Sequence, residues 1–227
     1  MNAMTTGKNG EFRYQGMTIG WRLGVGNLKN DLMFIGPDDM AEFSSAREDG
    51  ALVCVWRGSR ECGEAFTVRA VWRGMESRLV GTIEYGGHSG ELRVEEVHFP
   101  FVALPLTKAS RVLTSDNQGG VHNDLWHRPA GVVAQAAFSS FQYCAVLEDG
   151  HGYYFDHRDP AWHTKEFLFE VSDTPKTVTY RGVHPVPLTE ASRRAYRVPY
   201  ENSVGRFEGG WYESMRIYRK WALEQSW

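Results

Sequence analysis

The sequence predicts an all-β, mainly antiparallel sandwich closed by one C-terminal α-helix. Three observations carry that expectation. From Gly10 to about Val204, short apolar-alternating runs are separated by turn residues at intervals of roughly 10–15 residues. Eight Trp, ten Tyr and twelve Phe, 13% of the chain, suit pleated and half-buried surfaces. Only Gly210 to Ser226 reads as helix. There Trp211, Met215, Tyr218 and Ala222 fall at i, i+4, i+7 and i+11 on one face, with Ser214, Arg219, Lys220 and Glu224 on or near the other.

Taken in order, residues 12–14 and 17–21 form a first hairpin-like pair, and residues 51–56 follow the turn Glu48-Asp49-Gly50. Residues 66–73 and 77–84 alternate cleanly, and 92–101 continues the pattern after Gly86-Gly87-His88-Ser89-Gly90. Residues 107–131 are looser, with Asp116-Asn117-Gln118-Gly119-Gly120 at their centre, and long ordered loops in compact domains are often functional. Residues 134–146 are apolar enough for a strand buried on both faces. Asp149-Gly150 is a hairpin signal, and strands follow at 152–155, 165–171 and 177–180. Pro185, Pro187 and Pro199 loosen the approach to the helix. The expected division is a disordered segment at 1–10, a sandwich at 11–205 and a helix or linker at 206–227.

Composition excludes several classes. A net charge of −3 offers no basic field for nucleic acid or an anionic membrane, and no apolar run reaches the roughly 18 residues that span a bilayer. The first ten residues lack the apolar stretch of a secretory signal, so a cytoplasmic protein with reduced thiols is expected. Cys54, Cys62 and Cys144 are widely spaced, although Cys54 and Cys62 could face each other across a hairpin. There is no CxxC pair, and neither a metal nor a cofactor is expected.

Chemistry-bearing residues cluster once. Asp149, His151, Asp156, His157, Asp159 and His163 place three histidines and three carboxylates within fifteen residues. That composition suits sugar-ring proton transfer, in which a His and a carboxylate share the work, or a plain polar rim. The histidine spacings match neither helical nor strand metal sites. Glu95 and Glu96 are adjacent on a strand, so they are expected on opposite faces and unable to pair for glycoside cleavage. Trp126, flanked by His127 and Arg128, and Trp162 lie in irregular segments. A Trp face beside polar groups is the usual platform for a pyranose ring. The expected carbohydrate-contacting set is therefore Trp126, His127, Arg128, His151, Asp156, His157, Asp159 and Trp162. No residue is assigned a catalytic role.

Three segments in order carry a resemblance. They are Val94-Glu95-Glu96-Val97-His98-Phe99-Pro100-Phe101; Tyr143 to Phe155 followed by Asp156, Asp159 and Lys165; and Gly209-Gly210-Trp211-Tyr212-Glu213-Ser214 with Ile217 to Ala222 and Gln225-Ser226-Trp227. Together they resemble the N-terminal β-supersandwich of a group of glycoside-hydrolase-like proteins, a galactose-mutarotase-like fold that leads through a helix into a (β/α)₈ barrel. Residues 113–120 depart from the Asp-containing, Pro-interrupted stretch usual there. The resemblance implies a non-catalytic, carbohydrate-associated domain that supports or flanks a glycan site, because the family's catalytic carboxylates belong to the barrel. It implies a partner, either that barrel or a second copy, meeting Trp211, Met215, Tyr218 and Trp221. Alternatives are a mutarotase or epimerase acting from the sandwich face and a stand-alone carbohydrate-binding module.

Overall fold

The computed structural model describes residues 5–26, 32–87, 92–115, 119–137 and 141–226. The expected turn at 88–90, the loop centre at 116–118, residues 1–4 and Trp227 lie outside the described residues. Among the described residues the strands form two antiparallel sheets. The eight-stranded sheet runs, in spatial order, Thr5–Thr6, Phe12–Tyr14, Met17–Gly26, Arg93–Pro105, Lys176–Pro185, Glu166–Asp173 and Gly131–Ala136, with Leu32–Ile35 also paired to Met17–Gly26. The ten-stranded sheet runs Gly120–His122, Arg111–Thr114, Tyr143–Leu147, His151–Arg158, Glu201–Glu208, Arg78–Gly86, Gly63–Met75, Ala51–Ser59 and Met40–Glu48. Ala195–Arg197 adds to the free flank of Arg78–Gly86.

The inward faces meet through aromatics. Trp21 of the smaller sheet and Trp56 of the larger stand edge to face at 5.4 Å, and Trp72 lies 4.8 Å from Phe99 across the same gap. All four side chains are sealed from water, and such ring pairs add about 0.5–1.5 kcal/mol each beyond the area they bury. Cys54, Cys62 and Cys144 are buried free thiols, and burial pushes Cys54 and Cys62 up to about 11. Cys54 faces Ala70 across its hairpin rather than Cys62. No described helix is long and apolar enough to cross a membrane.

The C-terminal helix, Trp211–Ala222, packs back on the outer face of the larger sheet. Its buried stripe is Ser214 and Tyr218, flanked by Met215, Ile217, Trp221 and Ala222. Ser214, expected on the polar side, is 0% exposed, while Trp211, expected on the apolar face, is 53% exposed. Ser214 is small enough to sit against the sheet, and its hydroxyl donates back to Trp211 O at 2.7 Å. Tyr218 stacks on Tyr143 at 5.1 Å.

Other expectations change. Residues 5–10, expected without structure, are held. Thr5 and Thr6 pair with Arg13 and Phe12, and Trp56 Nε1 donates to Asn9 O at 2.8 Å. The run 134–146 is not one strand, because Gly131–Ala136 belongs to one sheet and Tyr143–Leu147 to the other. Residues 107–131 contain two paired strands, Arg111–Thr114 and Gly120–His122. Glu95 and Glu96 do not lie on opposite faces. Gly24 pairs with Glu96 and Val25 with Val94, so Glu95 is the extra residue of a β-bulge. A Cβ at Gly24 would strike Glu96 and one at Gly26 would strike Glu95, which puts both carboxylates over the same face. Each is engaged separately, Glu95 with Arg93 at 2.5 Å and Glu96 with His98 at 2.9 Å.

Candidate functional site

The histidine–carboxylate run does not converge on one rim. His151–Arg158 is a strand, so alternate side chains leave it on opposite faces. His157 points into the sandwich and is 0% exposed. Its Nδ1–H donates to Asn202 Oδ1, and its Nε2 accepts from Tyr180 OH at 3.1 Å. His184 lies alongside, its Nε2–H donating to Phe99 O at 2.5 Å and its Nδ1 accepting from Tyr200 OH at 2.6 Å. Every ring nitrogen of the pair therefore has one role that a neutral imidazole fills. Burial, and then the neighbouring histidine, hold His157 well below its ordinary value. Burial takes His184 down to about 3.

Asp156 projects from the other face, toward the helix, and is 1% exposed. It accepts from Tyr154 OH at 2.9 Å and from Ser203 Oγ, with Arg158 Nε at 3.7 Å. Asp159, in the loop beyond, organises the chain around itself. Ala161 N and His163 Nδ1 donate to one carboxylate oxygen at 3.1 and 2.9 Å, and His163 N and Lys165 Nζ to the other at 2.6 and 2.5 Å. Burial raises its pKa, but the Lys165 and His163 bonds outweigh that and keep it below the usual carboxylate range. Burial likewise lowers Lys165, against the Asp159 bond. Asp156, His157 and Asp159 are thus saturated with internal partners and sealed from any solute.

The remaining expected carbohydrate contacts fall at two ends of the fold. Trp162 is 46% exposed in the loop that Asp159 organises. Trp126 is half-buried beside Lys176, whose ammonium lies 4.8 Å from the ring and donates to Trp126 O at 2.9 Å. His127 and Asp124 pair at 2.5 Å in full solvent, and Arg128 is exposed. Lys176 opens a strand whose Val183 pairs with Glu166, next to Lys165. Seven residues at a strand rise of about 3.3 Å separate the two tryptophan groups by about 23 Å. His151 sits at the start of its own strand, the same number of residues from Arg158, so it too is remote from Trp162. Of the expected partner contacts, Tyr218 is covered by the chain's own sheet, Met215 and Trp221 are half-buried against it, and Trp211 is open. Among the described residues no group of three His, Cys, Asp or Glu side chains could hold a metal ion.

One open groove of about 560 Å³ involves none of these residues. It lies on the larger sheet and is lined by Arg57, Arg69, Glu84, Tyr196 and Arg197 over Val55, Thr67, Gly86 and Ala195. Each arginine stands alone in the sequence, so only strand register assembles the set.

No family model and no curated protein sequence matches the chain. Among solved structures it is similar to the alpha-N-acetylgalactosaminidase NagBb from Bifidobacterium bifidum in its GalNAc complex. The TM-score is 0.69 at 14% identity, over 99% of this chain and 38% of that one. The quadruple mutant of the same enzyme gives 0.66 at 14% identity, over 97% and 37%. An alpha-mannosidase from Enterococcus faecalis V583 gives 0.52 at 9% identity, over 96% and 30%. At these identities the likeness shows the fold. It is a sandwich fold present in glycoside hydrolases, as the resemblance implied, and this chain spans 38% of the length of NagBb.

Proposed function

We propose that this chain is a non-catalytic, carbohydrate-associated sandwich domain that supports or flanks a glycan site beside a catalytic domain. The observation that carries the non-catalytic half is the burial of His157, His184, Asp156 and Asp159 inside the fold. General acid–base work on a sugar needs a titrating group within hydrogen-bond reach of the substrate. His157 and His184 are sealed, neutral and fully bonded, and Asp156 and Asp159 are spent on internal donors. The fold shared with much longer glycosidases supports the carbohydrate half. The exposure of Trp211 and Tyr212, 53% and 56%, supports a neighbour at the helix.

Two measurements on the purified chain test this reading. Hydrolysis of 4-nitrophenyl α-N-acetylgalactosaminide and mutarotation of fresh α-galactose are both expected to run at the buffer rate. A glycan array is expected to show saturable binding. Acceleration in either assay overturns the non-catalytic half, and silence across the array overturns the carbohydrate half.

A further inference from the structure

We propose that the groove on the outer face of the ten-stranded sheet is a binding site for an acidic saccharide, a pyranose bearing a carboxylate or sulfate. The saccharide half rests on the carbohydrate reading above, and the anionic half stands on the groove itself.

The groove exists because Arg78–Gly86 changes neighbour along its length. Its first residues pair with Glu201–Glu208, from Gly205↔Arg78 to Asn202↔Gly81, and its last with Ala195–Arg197, from Arg197↔Glu84 to Ala195↔Gly86. Two cross-strand rows then form the site. Arg57, Thr67, Gly86 and Ala195 make one, and Val55, Arg69, Glu84 and Arg197 the other. The floor residues are small. A Cβ on Gly86 would meet Ala195 Cβ at 3.7 Å and Thr67 Oγ1 at 4.0 Å, ordinary contacts, so the space above it is open. About 560 Å³ is within the usual size of a small-ligand pocket.

The charge is one-sided. Three guanidiniums face Glu84, with Glu42 across from Arg57 at the edge, a local balance of +1 in a chain whose total is −3. Internal partners occupy little of that donor capacity. Arg69 and Glu84 meet at 3.3 Å with 42% and 38% of their side chains exposed, a pairing worth little in water. Arg57 gives one N–H to Ser44 Oγ at 3.3 Å. Arg197 is exposed and makes no hydrogen bond or ion pair among the described residues. A guanidinium fork matches the paired oxygens of a carboxylate or sulfate. Tyr196 turns its ring to the other face, against Tyr85 at 6.3 Å, and so leaves only backbone at the groove wall, while Glu84 accepts from the hydroxyls of a pyranose. A bare anion would use the arginines alone, whereas an acidic sugar also meets Glu84 and the small floor residues.

Isothermal titration of the full chain at low ionic strength, with galacturonate, galactose and inorganic sulfate as separate probes, tests the assignment. Galacturonate is expected to bind at least about tenfold tighter than either other probe. Arg197→Ala should weaken it by about tenfold and Gly86→Leu, which fills the floor, should abolish it, both with unchanged melting. Arg13→Ala, on the other sheet, should leave it unchanged. Galacturonate binding no tighter than sulfate, or no tighter than galactose, overturns the proposal. So does binding indifferent to both groove substitutions, or no binding at all. Any of these failures leaves the non-catalytic reading standing, whereas turnover in the assays above removes that reading and leaves the groove untouched.

Discussion

His157 and His184 stand edge to face with ring centroids 5.0 Å apart, one from each sheet, in an interior closed to water. Each ring donates once and accepts once, so a second proton on either would cost a hydrogen bond and bury a charge. Lys165, nearby, also opposes that charge on both rings, while Asp159 favours it weakly on His184.

Acid should therefore destabilise the fold through this pair. Both folded-state values lie below the value of about 6.5 for an unfolded histidine, so the unfolded chain takes up more protons as pH falls. The stabilisation is complete above about pH 6.5 and, for His184, declines toward pH 3 by about 1.4 kcal/mol per pH unit, with His157 acting in the same direction. Urea unfolding at pH 7.5 and pH 5 should differ by roughly 2 kcal/mol from His184, with His157 adding in the same direction. His184→Gln, which can reproduce both hydrogen bonds, should reduce the slope. Equal unfolding midpoints at the two pH values would contradict the account.

Asp159 and Lys165 should respond unequally to substitution. Asp159→Ala strips Lys165 of its counter-charge, leaving it His163 O at 2.8 Å and the Tyr200 ring at 4.9 Å, and removing one partner of a buried pair costs about 3–5 kcal/mol. Lys165→Met leaves the Asp159 carboxylate with Ala161 N, His163 N and His163 Nδ1, so it should cost clearly less. Chemical denaturation of the two variants gives the order directly. A reversed order would show that the carboxylate depends on the ammonium.

On the helix, Tyr218→Ala should cost about 3–5 kcal/mol and loosen the helix from the sheet, because Tyr218 is 4% exposed, stacked on Tyr143 and in tilted contact with Trp221. Trp211→Ala, at 53% exposure, should move stability by less than about 0.5 kcal/mol. Thermal melts with far-ultraviolet dichroism separate the two. A large loss on Trp211→Ala would mean that its ring is part of the packing.

Gly182 and Gly86 form an internal control. A Cβ on Gly182 would come within 2.5 Å of His157 Cε1 and 2.7 Å of Phe99 O, so Gly182→Ala should cost about 1–3 kcal/mol through overpacking. Gly86→Ala meets only ordinary contacts and should melt close to the parent. Similar melting temperatures for both variants would refute this contrast.

The strands with clean alternation, such as Gly63–Met75 and Arg78–Gly86, were legible in the sequence because one face of each is core. Glu201–Glu208 was not, although it lies near the middle of its sheet. Asn202 and Ser203 are 0% exposed, and their partners His157 and Asp156 come from a distant strand, so polarity there imitates a loop. Met40–Glu48 escaped for the opposite reason: it is an exposed edge with no buried alternation to read.

Sequence order alone determined the all-β class, the aromatic core and the closing helix, because periodicity and propensity act within a few residues. Tertiary structure decided everything about the sites. It split a compact run of histidines and carboxylates between the sealed interior, the helix-covered face and a loop. It also gathered Arg57, Arg69 and Arg197 into one groove. Which face a side chain takes, and what stands opposite it, depends on strand pairing between segments far apart in the chain, and no local pattern encodes that.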